Sequence, residues 1–158
     1  MTSRRHAITL IEVLILTVII AIVAGTIMPE FSASARDTKL SNLKYNLHLV
    51  RAQLEQYRDQ HGSTYPKATT SEQLRRQLTQ RTTIDGNLGA GAQIGPYLDQ
   101  DLPENPFNGS SRVTIISGDA EPTTATGGTE GWQYNAQHGW FFPNCSEYFQ
   151  ARGGFSAK

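Results

Sequence analysis

A carboxylate set in an apolar run is the clearest chemical signal in this chain. Between Ile8 and Met28 the only charged residue is Glu12, among isoleucine, valine and leucine interrupted mildly by Thr9, Thr17 and Thr26. An acidic side chain costs about 3 kcal/mol at the centre of a hydrocarbon-embedded helix and less near its end, so Glu12 is expected to have a task. An opposite charge brought beside it at low dielectric would relieve much of that cost. The other chemistry-bearing residues are dispersed. His6, His48, His61 and His138 lack ligand spacing, and no paired serine–histidine arrangement can be drawn. Cys145 has no partner for an internal disulfide and no basic neighbours to acidify its thiol. The glycine-rich stretch from Asp85 to Gly95 lacks the Gly-Lys-Ser/Thr ending of a phosphate-cradling loop. Asp99, Asp101, Glu104, Asp119, Glu121 and Glu130 are thinly spread oxygen donors, of which Gly118-Asp119-Ala120-Glu121 is the densest stretch. No catalytic activity is expected from this set.

The elements that would position Glu12 begin with the apolar run itself. Ile8–Met28 has the length, about 20 residues, that crosses a bilayer as a helix. Arg4 and Arg5 precede it, so the positive-inside rule predicts a cytoplasmic N-terminus with the remainder outside. An ordinary signal anchor and a cleaved signal peptide are the alternatives. Ala33-Ser34-Ala35 matches an A-x-A cleavage pattern and would release a soluble binding domain after Ala35. The run is nevertheless longer than a signal core, and a disposable signal has no reason to keep Glu12.

Beyond Pro29 the chain turns polar. Leu40, Leu43, Leu47, Val50, Leu54 and Tyr57 recur at steps of three and four, with Arg36, Lys39, Lys44, Arg51, Glu55 and Arg58 off the stripe. Gly62 and Pro66 supply a stop. One helix is therefore expected from the apolar run into a soluble body, bent or loosened at Pro29. A second begins near Thr70, where Thr70 with Gln73, or Thr69 with Glu72, has capping-box spacing, and Leu74 and Leu78 give it an apolar edge. Val113–Ile116 has strand composition, 118–131 reads as a polar loop, and Trp132–Tyr134 and Trp140–Phe142 flank a glycine-containing turn. Those aromatics are expected to pack a small antiparallel sheet on the long helix, with a sugar-stacking platform as the other reading. The tail after Phe149 reads as loosely ordered. Fourteen basic against fourteen acidic residues give no basic excess, so no nucleic-acid partner is expected. The sequons at Asn108 and Asn144 are read as chance matches.

Arg4-Arg5-His6-Ala7-Ile8-Thr9-Leu10-Ile11-Glu12, running into the apolar segment, resembles the prepilin signal of type IV pilins and type II secretion pseudopilins. His61–Pro66, Gly95–Leu98, Leu102-Pro103 and Asn105–Gly109 resemble the major pseudopilin class, with Asn105 and Phe107 departing from its Asp-Pro-Trp-Gly-like element. The resemblance implies cleavage between Ala7 and Ile8, where the family usually has glycine and phenylalanine, and N-methylation of Ile8. It implies that Glu12 pairs with the Ile8 amine of an incoming subunit, and that Pro29 kinks the helix. The domains would be a leader at 1–7, a transmembrane and assembly helix at 8–29, and a periplasmic head at 30–158. The implied fold is α+β and pilin-like: a long N-terminal helix, half transmembrane and half amphipathic, on a small antiparallel sheet. The implied location is the bacterial inner membrane, single-pass, with the filament in the periplasm. The implied function is a structural subunit of a type II secretion pseudopilus, a homo-oligomeric filament that drives protein export. Its partners would be the prepilin peptidase, an inner-membrane platform, minor pseudopilins and an outer-membrane channel. No cofactor is expected from the residues; the family's late-loop calcium is the alternative, without an identifiable ligand set. A type IV pilin for adhesion or motility is the nearest other reading, and the single cysteine disfavours it because such pilins often close a late loop with a disulfide.

Overall fold

The computed structural model describes residues 9–153, without the side chains of 26–33 and 153. Among the described residues, three helices and three strands follow in the order α1 (Leu10–Gln60), α2 (Ser71–Thr79), β1 (Val113–Ile116), β2 (Trp132–Asn135), β3 (Trp140–Pro143) and α3 (Ser146–Gly153). The chain divides into two compact units, Met1–Thr38 and Lys39–Lys158.

In the first unit the described side chains from Leu10 to Gly25 are all exposed. Among the described residues no helix is long and apolar enough to cross a membrane. Glu12 interrupts the apolar side chains near the start of α1. This overturns the expected transmembrane half of the fold and, with it, the single-pass inner-membrane location with cytoplasmic N-terminus and periplasmic head.

The second unit is built on the helical stripe. Leu43, Leu47, Val50, Leu54 and Tyr57 of α1 are buried in one cluster with Leu74 and Leu78 of α2, Val113 of β1, and Trp132, Tyr134 and Phe141 of the sheet. Each fully buried aliphatic or aromatic side chain contributes roughly 1.5–3 kcal/mol of transfer free energy. The polar ends of the buried aromatics are satisfied: Trp132 Nε1 donates to the Pro103 carbonyl at 2.8 Å and Tyr134 Oη to that of Pro66 at 2.9 Å. After Gln60 the chain turns through Gly62 and Ser63, both left-handed (φ 60° and 62°), and the Ser63 amide reaches back to the Arg58 carbonyl at 2.9 Å.

The sheet order is β1-β2-β3. β2 and β3 are antiparallel, pairing Trp132 with Pro143 and Asn135 with Trp140. β1 and β2 are parallel, pairing Val113 with Trp132 and Ile116 with Asn135. The sheet is therefore mixed, which corrects the expected antiparallel one. The cause is the connection 117–131: it is long enough to carry the chain back so that β2 starts at the same end as β1, as a parallel pair requires. The C-terminal stretch also differs from expectation, since α3 is helical through Gly153. Tyr148 and Phe149 on α3 hold it against Phe142, at centroid distances of 6.4 Å each.

Candidate functional site

Ala7 and Ile8 lie outside the described residues. Glu12 is described, and it closes the start of α1. Its amide approaches Thr9 Oγ1 at 3.4 Å, and its Oε2 accepts from the Thr9 amide at the same distance. The Glu12 and Val13 amides also reach the Thr9 carbonyl at 3.1 and 3.3 Å. This is the reciprocal arrangement of a capping box, Thr9-x-x-Glu12, with the carboxylate near the positive end of the helix dipole. The capping signal is present in the sequence as the spacing of Thr9 to Glu12. The assignment of α1 runs through Pro29, whose side chain is outside the described set.

From Leu10 to Val23 the exposed large apolar residues fall on every side of the helix: Leu10, Ile11, Val13, Leu14, Ile15, Leu16, Val18, Ile19, Ile20, Ile22 and Val23. A surface of this size exposed to water is an association site or an aggregation hazard. The Thr17 hydroxyl is turned onto the Leu14 carbonyl at 2.9 Å, so it adds little polarity to that surface.

In the second unit the late loop is latched by amides. Asn144 Nδ2 donates to the carbonyls of Gly127 and Glu130 at 2.8 and 3.1 Å. Asn144 Oδ1 accepts from the amide and hydroxyl of Thr126 at 2.8 and 3.1 Å. Gln133 Nε2 donates to the Thr124 carbonyl at 3.2 Å. Two of the acidic residues of the late half, Asp119 and Glu121, have partners of their own. Asp119 lies 3.2 Å from His138 Nε2 and from Gln137 Nε2; Glu121 pairs with Arg152 at 2.8 Å. Among the described residues no group of three or more His, Cys, Asp and Glu side chains could hold a metal ion. Cys145 is buried, and burial pushes its thiol up from the ordinary value. Asn144 of the second sequon is buried in its latch.

Another polar cluster joins the exit of α1 to the loops beyond α2. His61 stacks on Tyr57 at 3.7 Å between centroids. Its Nδ1 lies 2.8 Å from the Tyr57 carbonyl, and its Nε2 lies 2.9 Å from Thr82 Oγ1. Tyr97 Oη donates to Gln60 Oε1 at 2.9 Å. Burial pushes the Tyr57 phenol up to about 12, with Tyr97 adding to the effect, and pushes Tyr97 up to about 12 as well.

A cavity of about 500 Å³ opens between α1, β3 and α3, lined by Arg51, Glu55, Tyr65, Glu121, residues His138–Phe142, Tyr148 and Arg152. Arg51 and Arg152 both lie over the Phe142 ring, at 4.5 and 5.4 Å from its centroid. Gly139 (φ 69°) lets the β2–β3 turn pass against the Tyr65 ring, which a Cβ at that position would strike. Trp140, a candidate stacking surface, has a face taken by His138 at 4.2 Å, and Trp132, Tyr134 and Phe141 are buried. The hairpin therefore offers core aromatics rather than an open platform. Nothing in the sequence marked this cavity, whose walls come from positions as far apart as Arg51 and Arg152.

No protein-family model, no curated protein and no solved structure matches the chain.

Proposed function

We propose that this chain is a non-catalytic structural subunit that assembles with copies of itself into a filament of the type II secretion pseudopilus kind. The observation that carries the reading is the all-round exposure of apolar residues from Leu10 to Val23. Such a surface must be covered, and a bundle of identical apolar helices covers it without a dedicated partner. The prepilin-like order of Arg4, Arg5, Ala7, Ile8 and Glu12 supports the same reading. Cleavage before Ile8 by a prepilin peptidase would create an amine, methylated in the mature chain, that pairs with Glu12 of a neighbouring subunit in the dry bundle. The secretion platform, minor pseudopilins and outer-membrane channel are the partners that go with this reading.

The intact mass and N-terminal residue of the protein recovered from its cells test it. A chain beginning with methylated Ile8 is expected; a soluble chain beginning at Arg36 overturns it. Glu12→Ala is expected to keep a folded head and lose filament assembly. Normal assembly of that variant would remove Glu12 from the mechanism.

A further inference from the structure

We propose that the cavity between α1, β3 and α3 binds a peptide segment through a carboxylate that seats on Arg51, with a neighbouring apolar side chain of that peptide against Tyr148. Arg51 is pre-organised. Its Nε donates to the Phe141 carbonyl at 2.9 Å, and its guanidinium lies over Phe142. One of its five N–H donors is thereby used, leaving both terminal nitrogens for a bidentate acceptor.

Among the described residues the guanidinium also has no counter-ion. Among the described arginines that are not exposed, Arg58 pairs with Glu55 and Arg75 with Glu72, whereas Arg51 has no carboxylate within ion-pair distance. The helix offers it one. Glu55 stands a turn further along α1, the usual spacing for an ion pair, yet its oxygens are committed to Tyr65 Oη at 2.6 Å and Arg58 at 2.9 Å. Glu121 is likewise committed to Arg152. A half-buried cation with its local partners drawn away leaves a site for an anion from outside.

The surroundings select the kind of anion. Glu55 and Glu121 line the same cavity, so a phosphate dianion meets about twice the repulsion that a single carboxylate does. A sugar acid would need an open aromatic face, and His138 already stacks on Trp140. The cavity volume of about 500 Å³ suits one acidic side chain and one apolar neighbour.

Isothermal titration of the full chain with acetyl-Gly-Phe-Glu-Gly-amide, its Gln counterpart and inorganic phosphate tests this. The Glu peptide is expected to bind and to lose about tenfold or more in affinity on Glu→Gln exchange or in Arg51→Gln. Arg51→Lys keeps the charge without the fork and is expected to fall between the two. A melting temperature kept within a few degrees shows that each variant is folded. Equal binding of the Gln peptide overturns the proposal. So does phosphate binding as tightly as the Glu peptide, or unchanged affinity in a folded Arg51→Gln or Arg51→Lys protein.

Discussion

The two ends of α1 use apolar residues in opposite ways. From Leu10 to Val23 they are distributed around the helix and all exposed; from Leu43 to Tyr57 they occupy one stripe and are buried by the rest of their own unit. The first arrangement cannot be satisfied by a single neighbouring sheet, because covering one face leaves the others wet. The second is complete within one chain, since α2, the sheet and the intervening loops close over it. Stability and association are thereby assigned to different residues of one helix, and substitutions should separate them.

The largest effect is expected at Trp132. It is fully buried, stacks on Phe141 at 5.1 Å and donates to Pro103. Trp132→Ala is expected to cost about 3–5 kcal/mol, measured by denaturant unfolding of the head. A loss under about 1 kcal/mol would mean that the sheet is not the floor of the core.

A matched pair addresses the comparison directly. Leu54→Ala, at a buried stripe position, is expected to destabilise the head by about 2–5 kcal/mol. Leu14→Ala, on the exposed apolar segment, is expected to shift the same unfolding curve by under about 0.5 kcal/mol while weakening self-association, read by sedimentation. If both substitutions moved head stability alike, the division of labour along α1 would fail.

How legible this was from sequence depends on the range of the interactions. The inward face of α1 follows from the spacing of Leu43, Leu47, Val50, Leu54 and Tyr57, because helical periodicity alone sets which side chains share a face. Strand direction did not follow. Val113–Ile116 and Trp132–Asn135 look the same in either orientation, and the polar connection 117–131 that decides it carries no periodic signal. The short α3, with Gly153 at its end and a mixed pattern, gave no helical signature; it is held by Phe142 against Tyr148 and Phe149. The Arg51 cavity was invisible for the same reason, since its defining bond joins Arg51 to Phe141, 90 positions apart. The membrane-spanning expectation rested on the apolar run as a string of letters; among the described residues no helix is long and apolar enough to cross a membrane.

A smaller, pH-dependent effect comes from Tyr57 and Tyr97. Both phenols are pushed from 10.0 to about 12, chiefly by burial. The folded head therefore holds protons that the unfolded chain releases above pH 10.0. Their contribution to stability is fully present below pH 10.0 and falls as the pH rises to about 12. The melting temperature is expected to drop across that window, and Tyr97→Phe is expected to lessen the drop. The apolar segment of α1 holds no tyrosine, so self-association measured over the same window should not follow this titration.

The smallest expected effect lies at the entry to α2. Thr70 is the cap residue, extended at φ −136° and ψ 155°, and its side chain accepts from the Gln73 amide at 3.2 Å. Gln73 answers not to Thr70 but one residue earlier: its Oε1 accepts from the amide and hydroxyl of Thr69, each at 3.1 Å. Glu72, the other capping candidate, is drawn instead to Arg75. The first turn is also tied to the sheet, since the Val113 amide donates to Ser71 Oγ at 2.9 Å. Removing the cap oxygen with Thr70→Ala is expected to cost about 1 kcal/mol and lower the melting temperature by a few degrees. Because Ser71 carries the link to β1, the same variant should speed hydrogen exchange at the Val113 amide. A Thr70→Ala protein with the stability loss but unchanged exchange at Val113 would show that α2 frays without loosening the sheet.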